Sequence, residues 1–390
     1  MNLHRQITQV IILSKQIKMK PGPKNCITDV SGIKVGHAQD MKLMSGTTVI
    51  LPDTAAVAAV DCRGGAPGTR ETDVLHSANL VEEVHAIVLS GGSAMGLDAA
   101  SGASAWLKKK GRGFSVADGA SIPIVPAAIL FDLLNGGDKS QIDEHTYFEF
   151  GKEAAAKASS ECALGNIGAG TGAKAGTHKG GLGTASLINK KSVNSKDNGY
   201  TVGVLVAVNS FGSVTMPNRA DFWAWPFERG KEFGGRGVPD FLEDSLHDKD
   251  LQKINELPLD FDFESPFRQA VISSSLDAPD DVTPDGSISL NTTLCVVATD
   301  TVLTKAQAQR VAIMAQDGFA RAIRPVHTPF DGDVVFVLST GEIRLSSQPL
   351  IDIARLGMMA ADCTTRAIAR GVYAADSLGK WHGYNDKFKV

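Results

Sequence analysis

Short β-branched apolar runs alternate along this chain with longer stretches of helical spacing. Residues 47–51 and 55–60 are β-branched or small and apolar, parted by the turn pair Pro52-Asp53, and read as two strands. Residues 61–70 (Asp61-Cys-Arg-Gly-Gly-Ala-Pro-Gly-Thr-Arg70) read as loop. The run 86–89, followed by Ser90-Gly-Gly-Ser-Ala-Met-Gly96, predicts a buried strand and then a small-residue helix to about Lys110. A second glycine-rich stretch, 165–183, precedes a strand at 202–208, and residues 292–298 form another uninterrupted strand. Thr304 with Gln307 three residues on has the form of a capping box. The helix it starts carries Ala308, Val311, Ala312, Ala315, Phe319 and Ala322 on one face. After Asp331-Gly-Asp333 comes a strand at 334–338, then a last helix with Ile353, Leu356, Ala360, Cys363 and Ala367 aligned.

Residues 221–285 differ in texture, with Pro, many charges and scattered aromatics; they read as a surface excursion or long linker. No internal repeat is visible, and no boundary forces two domains. Residues 1–18 read as an appended or frayed arm before Met19, with too short an apolar run for a signal peptide, so the cytoplasm is the expected location.

Composition narrows the classes. Of 390 residues 43% are hydrophobic and 21% charged, which excludes a disordered chain. The net charge of -4, with no dense Lys/Arg stripe, excludes nucleic-acid binding driven by bulk charge. No apolar run approaches the roughly 18 residues of a membrane helix. The 5 cysteines are odd in number and widely spread, so neither a zinc cluster nor a disulfide framework is signalled, and a reducing compartment is expected. Glycine is in excess at 40 residues and clustered, which points to backbone packed closely against something.

Several tempting motifs fail. Gly91 to Gly96 has the outer glycines of a phosphate loop, but Leu97-Asp98 stands where Lys-Ser/Thr is required, and Met95 spoils a nucleophile elbow. Gly168-Ala-Gly170-Thr-Gly172 lacks the third glycine of a dinucleotide loop. The 9 histidines show no metal-binding spacing, and His327 beside Thr328 reads as a hydrogen-bonded structural histidine.

What remains is a constellation of longer segments: 45–52 (SGTTVILP), 61–73 (DCRGGAPGTRETD), 87–97 (IVLSGGSAMGL), 165–186 (GNIGAGTGAKAGTHKGGLGTAS), 291–300 (NTTLCVVATD) and 323–333 (IRPVHTPFDGD). In these, colinear over roughly residues 27–375, the chain resembles the L-aminopeptidase/D-esterase family (peptidase family S58), which includes β-peptidyl aminopeptidases and nylon-oligomer hydrolases. The resemblance implies an α/β (α+β) fold, an αββα four-layer sandwich like that of N-terminal-nucleophile hydrolases. It implies one domain over 19–390 that cuts itself between Asn291 and Thr292, leaving an α chain of 1–291 and a β chain of 292–390. It also implies a homotetramer of cleaved units and no metal or organic cofactor.

By position within those segments, the resemblance makes Thr292 the nucleophile and Lys179 a group that polarises its hydroxyl or stabilises the oxyanion, with Lys174 the alternative. Outside those segments, the resemblance makes Asn209, which ends the strand at 202–208, an oxyanion donor; Asp331 and Asp333 orient the nucleophile and its amine. Phe131 stands near a position that is polar in some relatives, which points to an apolar subsite. The chemistry is coherent: a Thr hydroxyl needs a neighbouring base, and a freed α-amine with an ordinary pKa of about 7.7–8.0 supplies one. The approach through Asp285-Gly-Ser is expected to be loose, the Thr292 hydroxyl to face the surface, and Thr293 to point to the other side of the strand. The expected substrates are short peptides, amino amides, esters or β-peptides; the alternatives are endo-hydrolysis of 6-aminohexanoate oligomers, or an inactive homologue that binds without cutting.

Overall fold

The computed structural model describes residues 19–116, 120–189, 199–240 and 290–389. The arm 1–18, residues 241–285 of the expected excursion, and the loose approach at Asp285-Gly-Ser lie outside the described residues, as do all of 241–289.

Two sheets carry the chain. Numbered in chain order, the larger runs β1 (Met19–Lys20), β13 (Gly181–Asn189), β14 (Tyr200–Asn209), β15 (Thr292–Thr301), β16 (Val334–Ile343), β4 (Ala56–Cys62) and β6 (Glu83–Val84). The smaller runs β2 (Ile33–Asp40), β3 (Ser45–Pro52), β7 (Ile87–Ser90), β10 (Ala127–Ile129) and β5 (Gly68–Arg70). Only β15–β16 and β7–β10 pair in parallel within these sheets. Small hairpins join β8 (Phe114–Ser115) to β9 (Ser121–Ile122), and β11 (Lys174–Ala175) to β12 (His178–Lys179). Helices α1 (Asp98–Lys109) and α2 (Thr146–Ala156) flank the smaller sheet; α3 (Lys305–Ala315), α4 (Asp317–Ala322) and α5 (Pro349–Tyr373) flank the larger, and α6 (Tyr384–Phe388) closes the chain.

Period-2 alternation along the central strands builds the layers. On β15, Cys295 and Val297 pack with the helical residues Ala308, Val311, Leu356 and Cys363. Leu294, Val296 and Ala298 turn the other way, against Ile50, Ile87 and Leu89 of the smaller sheet. The far face of the smaller sheet, with Val49 and Val88, meets Ala99, Ala103 and Leu107 of α1 and Ala154 of α2. The order helix, sheet, sheet, helix is the four-layer arrangement implied by the resemblance. A strand buried on both faces reads as a continuous apolar run, which is why 202–208 and 292–298 carry no alternation in sequence.

The helix start at Thr304 is as expected: its hydroxyl accepts from the Gln307 N–H and the Gln307 side chain accepts from the Thr304 N–H. The apolar face that follows is split at Gln316, whose Nε2 donates to the Asp61 carbonyl. Three readings are corrected. Residues 61–70 are not all loop, since Asp61 and Cys62 end β4 and Gly68–Arg70 forms an edge strand. Strands β2 and β13 and helix α2 were not legible, because glycines and polar residues interrupt their patterns, and β10 is only three residues, Ala127–Ile129, following Pro126. Cys26 and Cys162, 136 residues apart, are joined in a disulfide, a pairing that no local spacing could signal.

The glycine excess is explained by backbone meeting backbone. A Cβ on Gly183 of β13 would stand 1.8 Å from the Ala367 carbonyl oxygen of α5, so only glycine lets that helix lie on that strand.

Candidate active site

Thr292 heads β15, the fourth of seven strands, and pairs directly with Asn209, the last residue of β14. The alternation that turns Leu294 and Ala207 toward the space between the sheets puts Thr292 and Asn209 on that same face. Two residues that are far apart in sequence thus share one mouth.

The bond before Thr292 is held firmly. The Asn291 N–H donates to the Phe330 carbonyl at 2.8 Å, and the Asn291 carbonyl accepts from the Gly332 N–H at 3.0 Å. The same carbonyl accepts from the Thr292 hydroxyl. Gly332 is needed here: a Cβ on it would be 2.6 Å from Thr292 Oγ1 and 2.6 Å from the Ala66 carbonyl oxygen. Thr292 is 3% exposed, so its hydroxyl is buried, which corrects the expectation of a surface-facing group. Thr293 points the other way as expected, and its buried hydroxyl has no hydrogen-bond partner among the described residues. The Asn291 side chain is also buried, with neither its Oδ1 nor its Nδ2 hydrogen-bonded among the described residues.

Both acids lie beside this bond without touching the Thr292 hydroxyl. Asp331 forms an isolated bridge with Asn291; its carboxylate accepts from the Phe211 N–H at 3.0 Å and the Thr328 hydroxyl at 2.6 Å. Burial, and then the neighbouring Asp333, push its carboxyl up to about 7. Asp333 Oδ1 accepts the Thr293 N–H at 2.8 Å, and its Oδ2 accepts the His327 N–H and faces His327 Nδ1 at 2.8 Å. The loop 63–67 closes over the pair: a Cβ on Gly64 would be 2.2 Å from the Asp333 nitrogen.

Lys179 is fully buried, and its ammonium donates to the carbonyls of Gly170, Ala173 and Gly180 at 3.1, 2.9 and 2.8 Å. The glycine-rich segment is therefore a cradle of carbonyls around a lysine, not a phosphate loop. Burial pushes the lysine down to about 7 and the Asp132 charge opposes that, so charged and neutral forms are both within reach at neutral pH. Lys174 is tied to the site by its backbone, whose N–H donates to Asn209 Oδ1 at 3.0 Å, while its ammonium lies 5.0 Å over the Trp381 ring. Asn209 Oδ1 also accepts from Asn135 at 3.1 Å, and its Nδ2 donates to the Phe131 carbonyl at 3.0 Å. Phe131 thus contributes its backbone to the site.

Sequence reasoning missed Asp132, Ser45, Tyr147, Lys139 and Asn135. Asp132 is completely buried; it accepts from the Ser45 hydroxyl at 2.7 Å and the Gly92 N–H at 2.8 Å, and Lys139 stands 4.0 Å away. Ser45 in turn meets the Tyr147 hydroxyl at 2.9 Å. The available signal was a lone acid inside the apolar run 124–134. Among the described residues no group of three or more His, Cys, Asp or Glu could hold a metal ion, and no helix is long and apolar enough to cross a membrane.

Comparison with known proteins identifies the family and the fold. Residues 25–385 match Peptidase family S58. The chain belongs to that family. An uncharacterized aminopeptidase of Mycobacterium tuberculosis is 41% identical over 381 residues, covering 93% of this chain and 98% of that one. A 6-aminohexanoate-oligomer endohydrolase of Agromyces sp. is 25% identical over 341 residues, 85% of this chain and 79% of that one. Among solved structures, a Burkholderia sp. beta-aminopeptidase superposes with a TM-score of 0.65 at 19% identity, over 96% of this chain and 95% of that one. The L-aminopeptidase D-Ala-esterase/amidase of Ochrobactrum anthropi, described as a variant of the Ntn hydrolase fold, gives 0.62 at 20%, over 95% and 92%. This S58 chain has that α+β Ntn-hydrolase fold and is an aminopeptidase-like hydrolase in class.

Proposed function

We propose that this chain is a self-processing amide hydrolase whose nucleophile is Thr292, freed by cutting its own Asn291–Thr292 bond. The observation that carries this reading is the Asn291 carbonyl, which accepts both the Gly332 N–H and the Thr292 hydroxyl at the head of the central strand. In processing, the hydroxyl oxygen attacks the Asn291 carbonyl carbon, the amide nitrogen leaves as the Thr292 amine, and an ester joins the two residues. Water then hydrolyses the ester to an Asn291 carboxylate, leaving a hydroxyl beside a free amine. The Asn291 side chain, buried and without a hydrogen-bond partner among the described residues, favours departure of the new terminus once it is released.

In turnover the α-amine takes the hydroxyl proton, a substrate acyl group passes to Thr292, and water releases it. The Gly332 N–H and Asn209 serve the oxyanion, Lys179 supplies positive charge from its carbonyl cradle, and Asp331 and Asp333 hold the strand head. Lys174 takes the place of Lys179 only if mutation of Lys179 leaves turnover intact.

The acyl donor is the N-terminal residue of a short peptide, amino amide, ester or β-peptide. Endo-cleavage of 6-aminohexanoate oligomers is the second reading, favoured by the relatives named for that activity and by the Asn-Thr at the cut. A panel of p-nitroanilides, β-peptides and 6-aminohexanoate oligomers on the cleaved protein separates the two. A denaturing gel tests the whole reading: from 41.1 kDa, cleavage after Asn291 leaves fragments of roughly 31 and 10 kDa. A persistent single band points to a homologue that keeps the fold without cutting.

A further inference from the structure

We infer that His327 is a positioning residue of this site: it holds Asp333 in the rotamer that pins the Thr293 N–H, and through it the nucleophile. The inference rests on the proposed role of Thr292. The contacts form one chain from His327 to the strand head. His327 addresses Asp333 Oδ2 twice, through its backbone N–H at 3.2 Å and its ring Nδ1 at 2.8 Å. The other oxygen, Oδ1, is thereby turned to the Thr293 N–H at 2.8 Å. Thr293 is bonded to Thr292, so a tilt of the carboxylate moves the nucleophile.

The histidine is placed at some cost. Its φ is +53°, a region that Gly and Asn enter more readily than His. The ring rests on Phe319 of α4 at 5.6 Å, which fixes its plane toward the carboxylate. Asp333 is 2% exposed at its side chain and the His327 side chain 20%, so the histidine joins a buried acid to the edge of solvent.

The charges around the ring leave Asp333 as its partner. Asp331, from the same loop, is engaged by Thr328 and the Phe211 N–H. Arg63, from the covering loop, is paired with Asp61, and Arg321 of α4 with Asp362. Arg324 lies over the Trp223 ring. The ring Nδ1 and the backbone N–H of His327 therefore both meet Asp333 Oδ2, and Oδ1 is left to the Thr293 N–H.

Two substitutions separate side chain from backbone. His327→Gly relaxes the positive φ and deletes the ring; His327→Asn also suits that φ and returns a short N–H donor. Processing rate, kcat/KM against pH, and folding by circular dichroism are measured for both variants. The Thr293 amide resonance is followed with pH in 15N-threonine-labelled Thr292→Ala chains carrying each change. His327→Gly should slow processing and turnover roughly tenfold or more, as loss of one hydrogen bond to a charged group does. It should also change the acid limb of kcat/KM and the pH response of the Thr293 amide, with His327→Asn recovering part of both. Wild-type rates in His327→Gly, or an unmoved Thr293 titration, would overturn the assignment. Equal losses in the two variants with an unmoved limb would reduce His327 to a structural residue. A wild-type chain that never cuts defeats the Thr292 reading instead, and the Thr293 titration still decides the role of His327.

Discussion

At the residue scale, the difference between Thr292 and Thr293 is one of face. Thr292 presents its hydroxyl to the Asn291 carbonyl, whereas the Thr293 hydroxyl is buried on the helix side without a partner among the described residues. Thr292→Ala should give a folded, uncut, inactive chain, and Thr292→Ser should keep some processing because it retains the hydroxyl. Thr293→Val removes an unpaired buried polar atom at nearly constant shape, so it should still mature and unfold at the same or a higher temperature. N-terminal sequencing of the small fragment checks the series: Thr-Thr-Leu-Cys is expected, and a start at Thr293 would reassign the nucleophile. Asp333→Asn should fold but slow both cutting and turnover, because it deletes the charge that faces His327 and the Thr293 amide. Asp331 makes a separate prediction in pH. Its folded-state carboxyl stands at about 7 against an ordinary 3.8, so in between the native state holds a proton that the unfolded chain has lost. Its contribution to stability therefore falls as pH rises from about 4 to about 7 and is flat above. Asp331→Asn should remove that fall, gaining up to a few kcal/mol over wild type at pH 8 relative to pH 4. Parallel curves of Tm against pH for the two proteins would refute it.

At the scale of elements, β15 is held between an antiparallel and a parallel neighbour, and both pairings end at the site. Asn209 comes from the first; Asp331 and Asp333 come from the loop that starts the second. The closeness of α5 to β13 keeps this platform in place. Gly183→Ala would push a methyl into the Ala367 carbonyl, with backbone on both sides and no flexible side chain to yield. A loss of several kcal/mol is expected, larger than for any exposed substitution, and it is read as a lower denaturant midpoint. The helix start at Thr304 is a weaker lever, since a capping side chain contributes about 1 kcal/mol.

At the scale of the whole molecule, a cut at Asn291 leaves β15 in the middle of a sheet built by both fragments. Strand β15 bonds to β14 on the α-chain side and buries Leu294, Val296 and Ala298 against the smaller sheet. The two fragments should therefore separate on a denaturing gel yet elute together under native conditions, because pulling them apart would expose a fully buried strand with an apolar centre. Elution of a free small fragment would contradict this. We propose that the cleaved unit assembles further into a homotetramer, which light scattering on the eluted peak measures directly.

Local pattern carried much of this protein in its sequence. The apolar runs at 202–208 and 292–298, the capping box at Thr304 and the faces of α3 and α5 are short-range features, and a one-dimensional string records them. The family segments also put Thr292, Asp331 and Asp333 forward from sequence, and the end of the strand at 202–208 put Asn209 forward. Other features arise only when distant segments meet. The strand β13 is hidden by glycines whose reason is the α5 backbone, and Asp132 owes its burial and partners to Ser45, Gly92 and Lys139. His327 looks like a structural histidine until a carboxylate six residues on turns back to it. Periodicity determines which face of an element is apolar; which polar groups share a mouth is set by strand order and register, and these exist only in the folded chain.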